Sequence, residues 1–140
     1  MTLRGMGARF LPKWYDDWAS VPHLAMPQEI LHFTVSAPPS VVSRTIEQYA
    51  AGQGRLNALV VPWESDPVTL SMAVTAVKSD GWAIEHTNLG TIRLTDLGND
   101  LTLVDVVAHE PNHAEKQKLV MLFDAFARNI ESMLKVKPQA

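Results

Sequence analysis

Asp105 is the residue of this sequence whose surroundings make its chemistry most consequential. It stands inside Leu103-Val104-Asp105-Val106-Val107, where an ionised carboxylate is costly unless paired or hydrogen-bonded. Strand alternation gives it Leu101, Leu103 and Val107 as face-mates. That face points either inward or to solvent, and in the second case Asp105 merely marks it. Glu85 and His86 pose the same question one strand away, and an acid-base reaction by Asp105, His86 or Glu85 is chemically open. No nucleophile accompanies them: there is no Gly-x-Ser-x-Gly elbow, and Ser36, Ser40, Ser65 and Ser79 fall in caps and turns. The catalytic residues are unknown at this level.

His109 and His113 have the four-residue spacing of a helical ligand pair, with Glu110 adjacent, but Pro111 and Asn112 divide them between two elements. Without an HExxH motif, a cysteine ligand or a clear third group, no metal site is expected. The chain has no cysteine, which removes disulfides, thiolate metal sites, iron-sulfur clusters and cysteine nucleophiles together. Gly52-Gln53-Gly54 lacks the lysine or third glycine of a phosphate-cradling loop, and no cofactor is expected. The twelve basic residues are scattered and the net charge is -3, so a nucleic-acid partner is not expected.

These groups need a packed frame. At 140 residues, with 46% hydrophobic and 19% charged residues, the chain suits one domain with one core. Its apolar runs fall far short of the ~20 residues that span a bilayer, and the N-terminus lacks an apolar signal segment. The expected location is the cytoplasm.

Residues 1–28 are punctuated by Gly5, Gly7, Pro12, Pro22 and Pro27 and carry Trp14 and Trp18 four apart, which one helical turn would place together. They are expected to form an accessory arm, with residues 29–140 as the domain proper. There Leu31, Phe33 and Val35 alternate with His32, Thr34 and Ser36, the period of a half-buried strand. A short helix follows, with Ser36 as its expected N-cap, Val42, Ile46 and Tyr49 as its apolar positions, and Gly52 and Gly54 as its stop. Strands are then expected over 57–63, over 68–77, after the Asp80-Gly81 hairpin turn, beyond a bend or bulge at Asn88 and Gly90, and over 101–109. Counting the first, there are about six. Last comes a long helix with Asn112 as expected N-cap and an apolar stripe from Leu119 through Phe123, Phe126 and Ile130 to Leu134.

Three stretches resemble the START-like helix-grip superfamily of polyketide-cyclase and lipid-transfer domains, together covering about residues 30–136. His32-Phe33-Thr34-Val35-Ser36-Ala37-Pro38-Pro39-Ser40-Val41-Val42 is similar to its opening strand and first helix. Leu89-Gly90-Thr91-Ile92-Arg93-Leu94 with Leu101-Thr102-Leu103-Val104 is similar to its late hairpin. Residues 119–134 are similar to its gripping helix. The resemblance implies an α+β helix-grip fold and an apolar or aromatic ligand held between sheet and helix. Period-two counting puts Met72, Val74, Trp82, Ile84 and His86 toward that helix, where Phe123 and Phe126 oppose them. Trp63 is a further lining residue, and the resemblance makes Asp105 or His86 the polar group that orients the ligand. Core filling is the plainer role for the aromatic and methionine positions. Two other readings stand beside ligand binding. One is a protein-interaction or homodimerisation domain using the helix stripe and the Trp14–Trp18 arm. The other is a cyclase or hydrolase using acid-base residues in the cavity.

Overall fold

The elements that form are strand β1 (Gln28–Val35), helix α1 (Pro39–Gln53), strand β2 (Leu56–Val60), a 3-10 turn (Pro62–Glu64), strands β3 (Thr69–Asp80), β4 (Ala83–Gly98) and β5 (Leu101–Ala108), and helix α2 (Lys116–Lys135). They come from a computed structural model that describes residues 28–80 and 82–135. The expected arm with Trp14 and Trp18, Gly81 of the expected hairpin turn, and Pro138 lie outside the described residues.

Alternation builds the sheet. In β1, Phe33 and Val35 are buried while His32 and Thr34 are exposed, and in β5 the fully buried Thr102, Val104 and Val106 alternate with half-buried Leu101, Leu103 and Asp105. The strands pair antiparallel in the order β1-β5-β4-β3-β2. Both helices pack on the buried face: α1 contacts β2, β3, β4 and β5, and α2 contacts β1, β4, β5 and α1. This is the α+β helix-grip arrangement, with five strands instead of about six. The difference arises because residues 83–98 run as one strand through the expected bend. Its pairing with β3 slips between Val74 and Thr75, from Gly90 to Asn88, so that Leu89 is the extra residue of a β-bulge.

Local chemistry fixes the ends. Pro38, not the expected Ser36, is the N-cap of α1; its carbonyl accepts from the Val41 and Val42 amides, and Pro39 occupies the first helical position, where its missing N–H would be unpaired anyway. Gly54 stops the helix in a left-handed conformation at φ 75°. The β4–β5 turn holds Asn99 and Asp100, both at φ 56°, between the paired Gly98 and Leu101, which is the type I′ geometry that suits strand twist.

The core lies between sheet and helices. Met72, Val74, Ile92, Leu94, Val104 and Val106 from the sheet are completely buried against Ile46 of α1 and Ile130 of α2, each such side chain contributing about 1.5–3 kcal/mol on burial. Phe126 stacks on Tyr49 with ring centroids 5.6 Å apart, joining the two helices. The outward side of α2 carries the i,i+4 pairs Asp124–Arg128 and Glu131–Lys135 at 3.5 and 3.4 Å, worth a few tenths of a kcal/mol each. Among the described residues no helix is long and apolar enough to cross a membrane.

Candidate functional site

The bulge at Leu89 decides what faces the helices. A one-residue insertion inverts every later alternation along a strand, so the parity that buries Ile92 and Leu94 passes at Leu89 to the odd positions. Leu89 is itself buried, and Thr87 and Glu85 follow it on the helix side, paired with Ala76 and Lys78 of β3. Ile84 and His86 are turned the other way. β5 pairs with β4 only from Gly90 onward, so beyond the bulge the end of the β3–β4 hairpin projects past β5.

Beneath that overhang the chain leaves β5 and turns into α2. The His109 amide donates to the Leu89 carbonyl at 3.0 Å, which holds the turn against the bulge. α2 begins at Lys116, beyond the expected cap Asn112; ahead of it the His113 Nδ1 accepts the Glu115 amide at 2.9 Å, and the Glu115 carbonyl accepts the Leu119 amide at 3.1 Å. An Nδ1 that accepts leaves the neutral ring's proton on Nε2, and Nε2 reaches Glu85 Oε1 across the gap at 3.4 Å. Two elements separated by 28 residues thereby meet through one side-chain pair.

The result is a cleft of about 340 Å³. Its apolar lining comes from Ala76 of β3 and from Leu119 and Leu122 of α2. Its polar lining comes from Arg55, at the α1–β2 turn, with Lys78, Glu85, Thr87, His113 and Glu115. Arg55 is fixed through its backbone, since its carbonyl accepts the Val77 amide at 2.8 Å. The cleft therefore joins a greasy floor to a charged rim, the composition of a site for an amphipathic small molecule.

Of the residues expected to line a ligand, Met72, Val74, Phe123 and Phe126 do come together, at 0, 0, 2 and 3% exposure within one buried cluster. They fill the space between sheet and helix with packed side chains. The others stand apart. Trp63 is 83% exposed on the 3-10 turn, Trp82 is fully exposed at the hairpin end, Ile84 is 66% exposed, and His86 is exposed beside it. The expectation that Trp82, Ile84 and His86 share the face of Met72 is corrected by the bulge, which reverses their parity. Asp105 lies on the outer face of the sheet, away from Val104 and Val106, where its Oδ1 is 2.5 Å from His32 Nδ1. The outward orientation weighed for Asp105 is the one that forms.

Two further histidines carry the perturbed electrostatics. His32 is held above the usual imidazole range, first by its hydrogen bond to Asp105 and then by that to Glu29. His109 is pushed below it by burial, against a weaker opposing pull from Glu64, and its Nε2 meets Thr91 Oγ1 at 3.0 Å. Neither lines the cleft. A larger groove of about 480 Å³ runs beside the first turns of α2, lined by Gln28, His109, Gln117, Val120 and Met121 together with Lys116 and Glu110, which pair with each other.

Arg55, Lys78, Thr87, His113 and Glu115 are the cleft residues that sequence reasoning passed over. The Asn88–Gly90 irregularity was the available signal, because carrying its parity reversal down the strand assigns Glu85 and Thr87 inward and Ile84 and His86 outward.

No family model and no curated protein matches the chain. Among solved structures, the chain is similar to a START superfamily protein from Mycobacterium smegmatis, at 14% identity and a TM-score of 0.35, over 75% of this chain and 94% of that one.

Proposed function

We propose that this chain is a small-molecule-binding domain whose ligand, an aromatic or otherwise apolar acid, lies in the cleft beneath the β3–β4 overhang. The observation that carries this reading is the cleft's pairing of an apolar floor, Leu119 and Leu122, with a rim that sets the cations Arg55 and Lys78 beside the carboxylates of Glu85 and Glu115. A volume of about 340 Å³ falls at the lower end of small-molecule sites. The apolar body displaces water from the floor, and its carboxylate meets the rim cations. The His113–Glu85 pair spans the same opening, so a bound acid is confined by it. Met72, Val74, Phe123 and Phe126 belong to one buried cluster, so this reading seats the ligand at the hairpin end and not in the middle of the sheet.

Titration with aromatic carboxylic acids, followed by NMR shifts of the Ala76, Thr87 and Leu122 amides, tests the reading. Binding near micromolar affinity, roughly -8 kcal/mol, is expected for a fitting member. Leu122→Trp, at a half-buried position, should block it while thermal unfolding stays cooperative. Shifts undiminished in that variant place the ligand elsewhere and sink the proposal.

The exposed Trp82 and Ile84 favour a second reading, a protein-interaction or homodimerisation domain using the hairpin end. Large apolar side chains clustered in water mark such surfaces. A concentration-dependent dimer in sedimentation velocity that Trp82→Ser abolishes supports it, and a monomer at all concentrations removes the homodimer.

A further inference from the structure

On the outer face of the sheet, remote from the cleft, β1 and β5 bring together three side chains of metal-ligating type. Strict alternation would put Glu29 and His32, three residues apart, on opposite faces. They share a face because β1 carries a bulge of its own: its pairing with β5 runs Glu29–Val107 and then Leu31–Val106, with Ile30 the extra residue. His32 pairs directly with Asp105 across the two strands. As a consequence His32 Nδ1 lies 3.0 Å from Glu29 Oε2 and 2.5 Å from Asp105 Oδ1, and all three ligand atoms fall within 4.8 Å of one another.

We propose that Glu29, His32 and Asp105 form a binding site for a divalent transition-metal ion of the zinc class. One imidazole nitrogen and two carboxylate oxygens, with water completing the shell, suit zinc, whereas Mg2+ and Ca2+ prefer all-oxygen sets. At zinc bond lengths, ligands around a tetrahedral ion stand roughly 3.3 Å apart. Glu29 and His32 are already near that separation, and Asp105 needs only a small side-chain rotation on a face open to solvent. The two carboxylates supply the charge that offsets the ion, and the ion takes the place of the proton on Nδ1 between them, which leaves from an imidazolium or passes to Nε2 in a neutral ring. The sheet fixes two of the three donors at paired strand positions, which lowers the ordering cost of ligation. The site is independent of the ligand proposed for the cleft.

Calorimetric titration of the EDTA-stripped full chain with zinc chloride tests this, with magnesium chloride as the hard-cation control. One equivalent of zinc should bind with a dissociation constant of about 10 µM, and magnesium should give no heat. His32→Gln should weaken zinc binding about tenfold or more, and Glu29→Gln should weaken it as well, with circular dichroism unchanged because both side chains are largely exposed. The imidazole 15N shift of His32 should report coordination at Nδ1. No zinc binding up to millimolar concentration overturns the proposal. So does binding that survives His32→Gln and Glu29→Gln unchanged, since the ion then sits on other histidines.

Discussion

The Phe123 ring of α2 rests on the backbone of β4 at Gly90, one residue past the bulge, and the fit leaves no space for a side chain. A Cβ at Gly90 would stand 2.5 Å from the Val107 carbonyl oxygen and 2.7 Å from Phe123 Cε2. The Val107 carbonyl is backbone of the neighbouring strand and cannot rotate aside. Gly90→Ala should therefore destabilise by about 1–3 kcal/mol through overpacking, read as a lower urea midpoint at unchanged m-value. Pairing it with Phe123→Leu should recover only part of that loss, because the carbonyl contact remains. Additive losses in the double-variant cycle would show that Phe123 does not share the strain.

Phe126, 3% exposed and stacked on Tyr49, ties α2 to α1 as well as to the sheet. Phe126→Ala should cost about 3–5 kcal/mol. A loss below about 1 kcal/mol in chemical denaturation would mean that the helix does not pack as described.

Sequence patterning reaches most of this fold and little of its cleft, for physical reasons visible in particular residues. Alternation at Phe33 and Val35, and the three- and four-residue recurrence of Leu119, Phe123, Phe126 and Ile130, are local periodicities that report which side is buried, and they place the strands and the long helix correctly. The cleft depends on where residues 55, 85 and 113 meet, which no local period records. The orientation of 82–86 depends on a single inserted residue at Leu89, and a bulge can be suspected from Asn88 and Gly90 without showing which way the strand leaves it. Asp105 illustrates the remaining limit. Alternation groups it with Leu101, Leu103 and Val107, but only the packed helices decide which face of β5 is inside, and the half-buried outer face is apolar enough to imitate the core.

Asn99 and Asp100 form the β4–β5 turn with both residues at φ 56°. Glycine adopts that conformation without the Cβ penalty, and Asn-Gly is the favoured pair for a type I′ turn. The change Asp100→Gly should stabilise the protein by about 0.5–1 kcal/mol, the relief of left-handed strain outweighing glycine's larger loss of chain entropy. A lower midpoint in thermal or urea unfolding would mean that Asp100 makes a turn interaction worth more than the strain.

His109 sets the sign of a pH dependence. Burial holds its pKa below the unfolded value of 6.5, with Glu64 opposing weakly, and Thr91 Oγ1 is its hydrogen-bond partner at 3.0 Å. Above 6.5 the ring is neutral in both states and its packing contributes in full. As pH falls below 6.5 the unfolded chain takes up a proton that the folded chain still refuses, so stability declines until the folded ring also protonates. His32 acts in the opposite sense. Its folded pKa is raised, chiefly by Asp105 and then by Glu29, so its contribution is present below 6.5 and lost as pH rises through the folded value; Arg93 stands at the register position opposite Asp105 on β4. Comparing wild type with His109→Gln in EDTA cancels the His32 contribution, because both proteins carry it, and glutamine retains a group able to bond Thr91. The difference in urea midpoint between the two should be constant above about pH 7 and should shift in favour of the variant as pH falls toward 5. A difference that does not change across that range would show that the His109 ring is protonated as readily in the folded protein as in the unfolded chain.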